Sequence, residues 1–191
     1  MYQNYKSLKN ISLKIKKNNQ FIKVIILNAP KIDIDWPQGK EYNVSSWYNY
    51  YTRYDGKMKL DIINLKNFYE QVNRLELLIE QEVLTHYINP NNILLMGVSQ
   101  GGTIAMHAAL NSKYKIGGII GIHTLFLYNL IKNYYKINKI PIYLLSGRED
   151  EVYNLNLQKK AIDNLYQNNF TITWDIIENL KHCEYYMHED E

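Results

Sequence analysis

Between Asn92 and Met106 an apolar stretch runs straight into Gly97-Val-Ser-Gln-Gly101 and then into a run of small residues with helical character. No other feature limits the fold as strongly. A strand must give way to a helix within one turn, and a serine sits between glycines two positions away on either side. The turn is so sharp that larger side chains there would collide, and the serine itself is held in a strained conformation. Its hydroxyl then projects at a helix N-terminus, where the backbone dipoles favour a developing negative charge. The bland alternative is a structural glycine turn, because the pentapeptide also occurs by chance. The strand-to-helix context favours a reactive Ser99.

The rest of the chain supplies the same kind of parts. Short β-branched runs recur at Ile22–Leu27, Ile93–Met96, Ile116–Ile122, Ile140–Leu145 and Ile172–Ile177. Runs without strict alternation are typical of parallel strands covered on both faces. Helical spacing lies between them. Leu65, Phe68, Val72, Leu75, Ile79, Val83 and Tyr87 step by three and four, which predicts one long amphipathic helix. Gln100–Leu110 and Leu155–Tyr166 read as two more helices. Neither a repeat nor a linker divides the chain, so 191 residues predict a single α/β domain, with a mostly parallel sheet and helices on both faces.

A reactive serine needs a base, and the base needs an orienting acid. After such an elbow the acid and the histidine follow in that order, at the ends of later strands. Ile140-Pro-Ile-Tyr-Leu-Leu-Ser-Gly-Arg-Glu-Asp150 reads as a strand, a glycine turn and an acid three residues past Gly147. Glu149 and Glu151 are neighbouring competitors, but Asp150 has the right spacing. His182 is the first histidine beyond it and follows the last strand in a short loop. Of the others, His86 ends the long helix, His107 lies inside the helix after the elbow, and His188 is near the C-terminus. His123 follows the strand Ile116–Ile122; it either faces the site or serves the core.

Composition excludes little and supports this reading. A net charge of +3, with the Lys and Arg residues dispersed, gives no basic block for nucleic acid. The single cysteine, Cys183, cannot form an internal disulfide, which suits a reducing, cytoplasmic setting. The first twenty residues carry Lys6, Lys9, Lys14, Lys16 and Lys17 and no apolar run, so no secretory signal is expected. Ile116–Ile131 is the most apolar stretch. It falls short of the ~20 residues a membrane helix needs, so no integral membrane segment is expected.

With these residues in place, the chain resembles the acyl-protein thioesterase and carboxylesterase family of the α/β-hydrolase fold, also described as phospholipase/carboxylesterase. Met96-Gly-Val-Ser-Gln-Gly-Gly-Thr103 is similar to that family's G-F-S-Q-G-G elbow, with Val98 in place of the aromatic residue. Phe21–Pro30 resembles its strand ending in Ala-Pro. Ser46-Trp-Tyr48 resembles its S-W-F/Y-D segment, with Asn49 for the aspartate. Gly147-Arg-Glu-Asp150 matches its acid loop and Glu178-Asn-Leu-Lys-His182 its histidine loop. The order is kept from Phe21 to His182. The resemblance implies a triad of Ser99, Asp150 and His182, with the Gln100 N–H as oxyanion donor and neither metal nor organic cofactor. The family opens with a strand ending in His-Gly, whose loop gives a second oxyanion donor. Residues 1–20 hold neither His nor Gly, and nine residues follow His182 where the family has a closing helix. The expectation is therefore this fold without its first strand and closing helix. His123 stands where members usually carry serine.

Trp36, Tyr42, Trp47, Tyr48, Tyr50, Tyr51 and Tyr54 crowd one segment. In the family that region helps cover the acyl pocket, which makes Trp47 a candidate substrate contact; an ordinary tyrosine-rich surface loop is the alternative. The implied reaction is hydrolysis of carboxylic esters or acyl thioesters through an acyl-enzyme, on a lipidated protein or a lysophospholipid. The competing reading is an inactive protein of the same fold that binds a lipid or lipidated partner.

Overall fold

The computed structural model describes residues 5–19, 21–36, 39–52, 59–131 and 138–182. Cys183, His188 and Tyr54 lie outside the described residues, as does the side chain of Trp36. Four parallel strands form the central sheet in the order β3-β4-β5-β6: Leu94–Val98, Gly118–Ile122, Ile142–Gly147 and Ile172–Ile177. The register aligns Val98 with Ile122, and Ile122 with Leu145. The ends that carry Ser99, His123 and the 148–150 turn therefore lie side by side. This is the crevice at the carboxyl ends of parallel strands.

Helix α2 (Leu65–Leu84) buries Phe68, Val72, Leu75 and Ile79, the expected stripe. Its first turn is capped by the Asn64 side chain, which accepts from the Asn67 N–H at 3.1 Å. The helix stops before Tyr87, which turns left-handed (φ 55°) and is exposed. Helix α3 (Gln100–Asn111) is buried almost throughout, which its small residues permit. It packs on β3 and β4, with α2 on its outer side. Helix α4 (Leu155–Gln167) bridges β5 and β6 and buries Leu157, Ala161, Ile162 and Leu165. Its Gln158 reaches Ser146 of β5. The opposite sheet face is thinner: Leu94 and Met96 of β3 and Thr173 and Asp175 of β6 are exposed.

Three local readings change. Ile22–Leu27 forms no strand: residues 22–27 join no β-ladder of the described residues, and Ile22 and Ile25 are exposed. β-branched residues make a strand only where a partner ladder accepts their backbone groups. Here the segment is clipped to α2, with Lys23 on Glu82 at 2.7 Å and Arg74 on the Asn28 carbonyl at 3.0 Å. The aromatic stretch after it contains an antiparallel hairpin of β1 (Lys31–Trp36) and β2 (Gly39–Ser45). Its signal was the alternation of Ile32, Ile34 and Trp36, and Ile34 is buried. Tyr5–Asn18 forms helix α1, with Lys16 and Lys17 in the last turn, where the helix dipole favours cations. Among the described residues no helix is long and apolar enough to cross a membrane.

Candidate active site

Ser99 occupies the one residue between β3 and α3, at φ 53° and ψ −127°. A non-glycine residue at positive φ stores strain, and the surroundings fix it there. Its N–H bonds the Ile122 carbonyl at 2.9 Å, and its carbonyl accepts from the Thr103 N–H at 3.1 Å. Gly97 makes the turn feasible, because a Cβ on it would lie 2.5 Å from the Gly101 carbonyl oxygen and the Gly102 nitrogen. The Ser99 hydroxyl lies 2.9 Å from His182 Nε2.

His182 is 3% exposed and Asp150 5%, so neither partner is bathed in water. The Nδ1 of His182 stands 3.0 Å from Asp150 Oδ1 and 2.9 Å from Oδ2. Asp150 Oδ1 also accepts the N–H groups of Val152 at 2.9 Å and Tyr153 at 2.7 Å. Burial by itself raises the Asp150 pKa. The hydrogen bonds from His123 and His182 outweigh it and hold the carboxyl well below the usual carboxylate range. A carboxylate only accepts hydrogen bonds, so the proton of His182 is on Nδ1. The Nε2 lone pair then faces the serine hydroxyl. The arrangement can draw the proton from Ser99 while holding the resulting imidazolium.

Of the three neighbouring acids, Asp150 is the one beside the imidazole. Glu151 has another contact: its Oε2 accepts the His182 backbone N–H at 3.1 Å. Glu149 gives its own backbone N–H to the Leu180 carbonyl at 3.1 Å, which joins the acid turn to the histidine loop. That close approach requires Gly147, where a Cβ would overlap the Leu180 carbonyl and press on the His123 ring.

Gln100 opens α3, so its N–H is among those a helix leaves without an internal partner. Its side chain anchors the aromatic segment: Oε1 accepts from Ser46 Oγ at 2.9 Å and the Trp47 N–H at 3.1 Å, while Nε2 donates to the Tyr48 carbonyl at 3.0 Å. Trp47 is half-buried, and its indole nitrogen lies 3.1 Å from where a Gly101 Cβ would stand. The structure thus places Trp47 on the elbow itself.

Two further neighbours surround the imidazole and its acid, Tyr153, which the sequence does not mark, and His123. The Tyr153 ring stands edge-on to His182 with centroids 5.3 Å apart, and its hydroxyl meets that of Tyr50 at 3.1 Å. His123, left between two roles, lies on Asp150: its Nδ1 is 3.0 Å from Oδ2. Its signal was its position at a strand's carboxyl end. Asp150, His123 and His182 are the described residues whose ligand-type atoms cluster within 4.8 Å. Both Nδ1 atoms carry the protons that bind the carboxylate, leaving no lone pair there for a metal.

Comparison with known proteins agrees with this architecture. Residues 6–188 match the model of the phospholipase/carboxylesterase family. Acyl-protein thioesterase 1 of Debaryomyces hansenii is 26% identical over 156 residues, which cover 80% of this chain and 65% of the relative. Acyl-protein thioesterase 1 homolog 2 of Dictyostelium discoideum is 31% identical over 137 residues, 70% and 58% of the two chains. The chain spans less than two thirds of the length of the curated relatives it matches. In fold it is similar to SOBER1 F65L of Arabidopsis thaliana, with a TM-score of 0.78 at 20% identity over 92% of this chain and 84% of that one. The α/β-hydrolase fold and the family-wide match together place this chain in the phospholipase/carboxylesterase family.

Proposed function

We propose that this protein hydrolyses carboxylic esters or acyl thioesters through an acyl-enzyme, with Ser99 as nucleophile, His182 as general base and Asp150 as the orienting acid. One observation carries the reading: Ser99 Oγ lies 2.9 Å from His182 Nε2 on a strained elbow, with Nδ1 of the same ring on a buried carboxylate. As Ser99 attacks the acyl carbon, Nε2 takes the hydroxyl proton and Asp150 holds the imidazolium. The oxygen of the tetrahedral intermediate becomes negative beside the N-terminus of α3, where the Gln100 N–H donates to it. Nε2 then protonates the departing alcohol or thiol. Water repeats the cycle on the acyl-enzyme, with His182 again as base, and releases the acid.

The aromatic segment pinned by Gln100 lies beside the elbow, which makes Trp47 our candidate wall for the acyl chain. Relatives named acyl-protein thioesterase favour a lipidated protein as the acyl donor. Nothing in the site's geometry favours an inactive binding protein: its three groups are within hydrogen-bonding distance without rearrangement.

A fluorophosphonate probe tests this reading. It should label the native protein at Ser99 alone, and Ser99→Ala should abolish both labelling and hydrolysis of p-nitrophenyl acetate. Labelling or turnover that persists in Ser99→Ala removes the proposal.

A further inference from the structure

Asp150 serves two histidines. His123 Nδ1 and His182 Nδ1 lie 3.0 Å and 2.9 Å from the same oxygen, Oδ2, and the two rings stand 5.3 Å apart, tilted by 58°. Because the carboxylate only accepts, His123 must carry its proton on Nδ1 and donate it. His123 is fully buried and sits directly after β4 at φ 46°, a region that side-chain-bearing residues seldom enter. Its N–H is held by the Leu145 carbonyl at 2.8 Å, so the backbone locks the ring over the acid turn. A strained, buried imidazole aimed at the triad acid is costly to keep as mere filler.

We propose that His123 is a positioning residue of the reaction: it fixes the Asp150 carboxylate and, by drawing on Oδ2, limits how strongly that oxygen stabilises the protonated His182. The proposal rests on the reading of Ser99, His182 and Asp150 as a working triad. Removing the His123 donor leaves more of the carboxylate's charge facing His182 and favours the imidazolium, which the acid limb of the rate profile reads out. The other groups facing this cluster among the described residues are the Glu151 carboxylate on the His182 N–H, and the phenols of Tyr153 and Tyr50. Burial pushes both phenols far up, so they stay neutral through the assay range. All three remain in every variant.

The test is the pH profile of kcat/KM for p-nitrophenyl acetate in the wild type, His123→Ala and His123→Asn. Asparagine can place an N–H donor near Nδ1 of histidine and tolerates left-handed backbone. In His123→Ala the midpoint of the acid limb should rise by about 0.5–1 pH unit and plateau kcat should fall about tenfold, with KM within about twofold. In His123→Asn both should return to within about twofold of the wild type. An unmoved limb in a folded His123→Ala overturns the proposal. If that variant does not fold, the wild type decides by nitrogen NMR of its imidazoles. His123 protonated at Nδ1 from pH 6 to 8 supports the proposal, and an unprotonated Nδ1 overturns it. Turnover retained in Ser99→Ala would instead overturn the triad on which the proposal rests.

Discussion

His107 lies inside α3, 1% exposed, stacked on Phe126 at 5.0 Å and met edge-on by Phe68 at 5.0 Å. Burial drives its pKa from 6.5 down to about 3. Above pH 6.5 the folded and unfolded chains both carry it neutral, and it adds no pH dependence. Below 6.5 the unfolded chain binds a proton that the folded chain refuses until about pH 3. Stability therefore falls with pH across that window, by up to about 1.36 kcal/mol per unit. At pH 5, about 1.5 units below the unfolded value, the loss is about 2 kcal/mol, a sizeable part of the ~5–15 kcal/mol that holds a domain together. Urea unfolding of the wild type and His107→Met at pH 7.5 and 5.0 measures it. Methionine is flexible enough to fill the slot and does not titrate. All other groups titrate alike in both proteins and cancel. The wild type should lose about 2 kcal/mol more than the variant between the two pH values. Equal losses would refute the reasoning, since His107 would then accept its proton while folded.

Asp150→Asn should lower kcat by up to about 10⁴, because the amide presents a donor to His182 and favours the wrong tautomer. Glu149→Gln and Glu151→Gln should stay within a few-fold, since a glutamine oxygen still accepts the His182 N–H; steady-state kinetics on p-nitrophenyl acetate separate the three. Gly147→Ala should cost about 1–3 kcal/mol in urea unfolding, because its methyl meets the Leu180 carbonyl and His123. It should also lower kcat/KM about a hundredfold by displacing the loop that carries His182.

The strands of the central sheet and the elbow were legible because their signals are local: β-branched runs, and glycines where a turn has no room. The order acid-then-histidine led to Asp150 and His182, which the structure brings beside Ser99. Ile22–Leu27 misled, because β propensity says that a segment can pair and not that a partner is present. The hairpin at 31–45 carries a weak signal, because its alternation spans only Ile32, Ile34 and Trp36 and its second strand is mostly polar. Tyr5–Asn18 carries only a thin helical signal, Leu8, Ile11 and Ile15 spaced by three and four among lysines and asparagines. His123 and Tyr153 stayed ambiguous or unseen because what defines them is convergence on one carboxylate and one imidazole. Residues 27 positions apart, His123 and Asp150, meet only once the register of β4 and β5 is set.

The four donors gathered on Asp150 also bear on how a dead version of this protein is made, in the laboratory or by mutational drift. They come from the end of β4, from the acid turn itself and from the histidine loop, so this one side chain fastens three pieces of the chain together. Truncating it to alanine would strand two buried imidazoles and two backbone N–H groups, each of which costs about 1–3 kcal/mol when left unsatisfied. Under the proposed triad, such a lesion would disable the chemistry and loosen the fold at once, and its phenotype would report abundance as much as catalysis. Ser99 stands at the opposite extreme. Its side chain caps no helix, and replacing it with alanine removes a hydroxyl while the fastening on Asp150 remains. A silent copy that still folds and still engages whatever the active protein engages is therefore to be sought at Ser99.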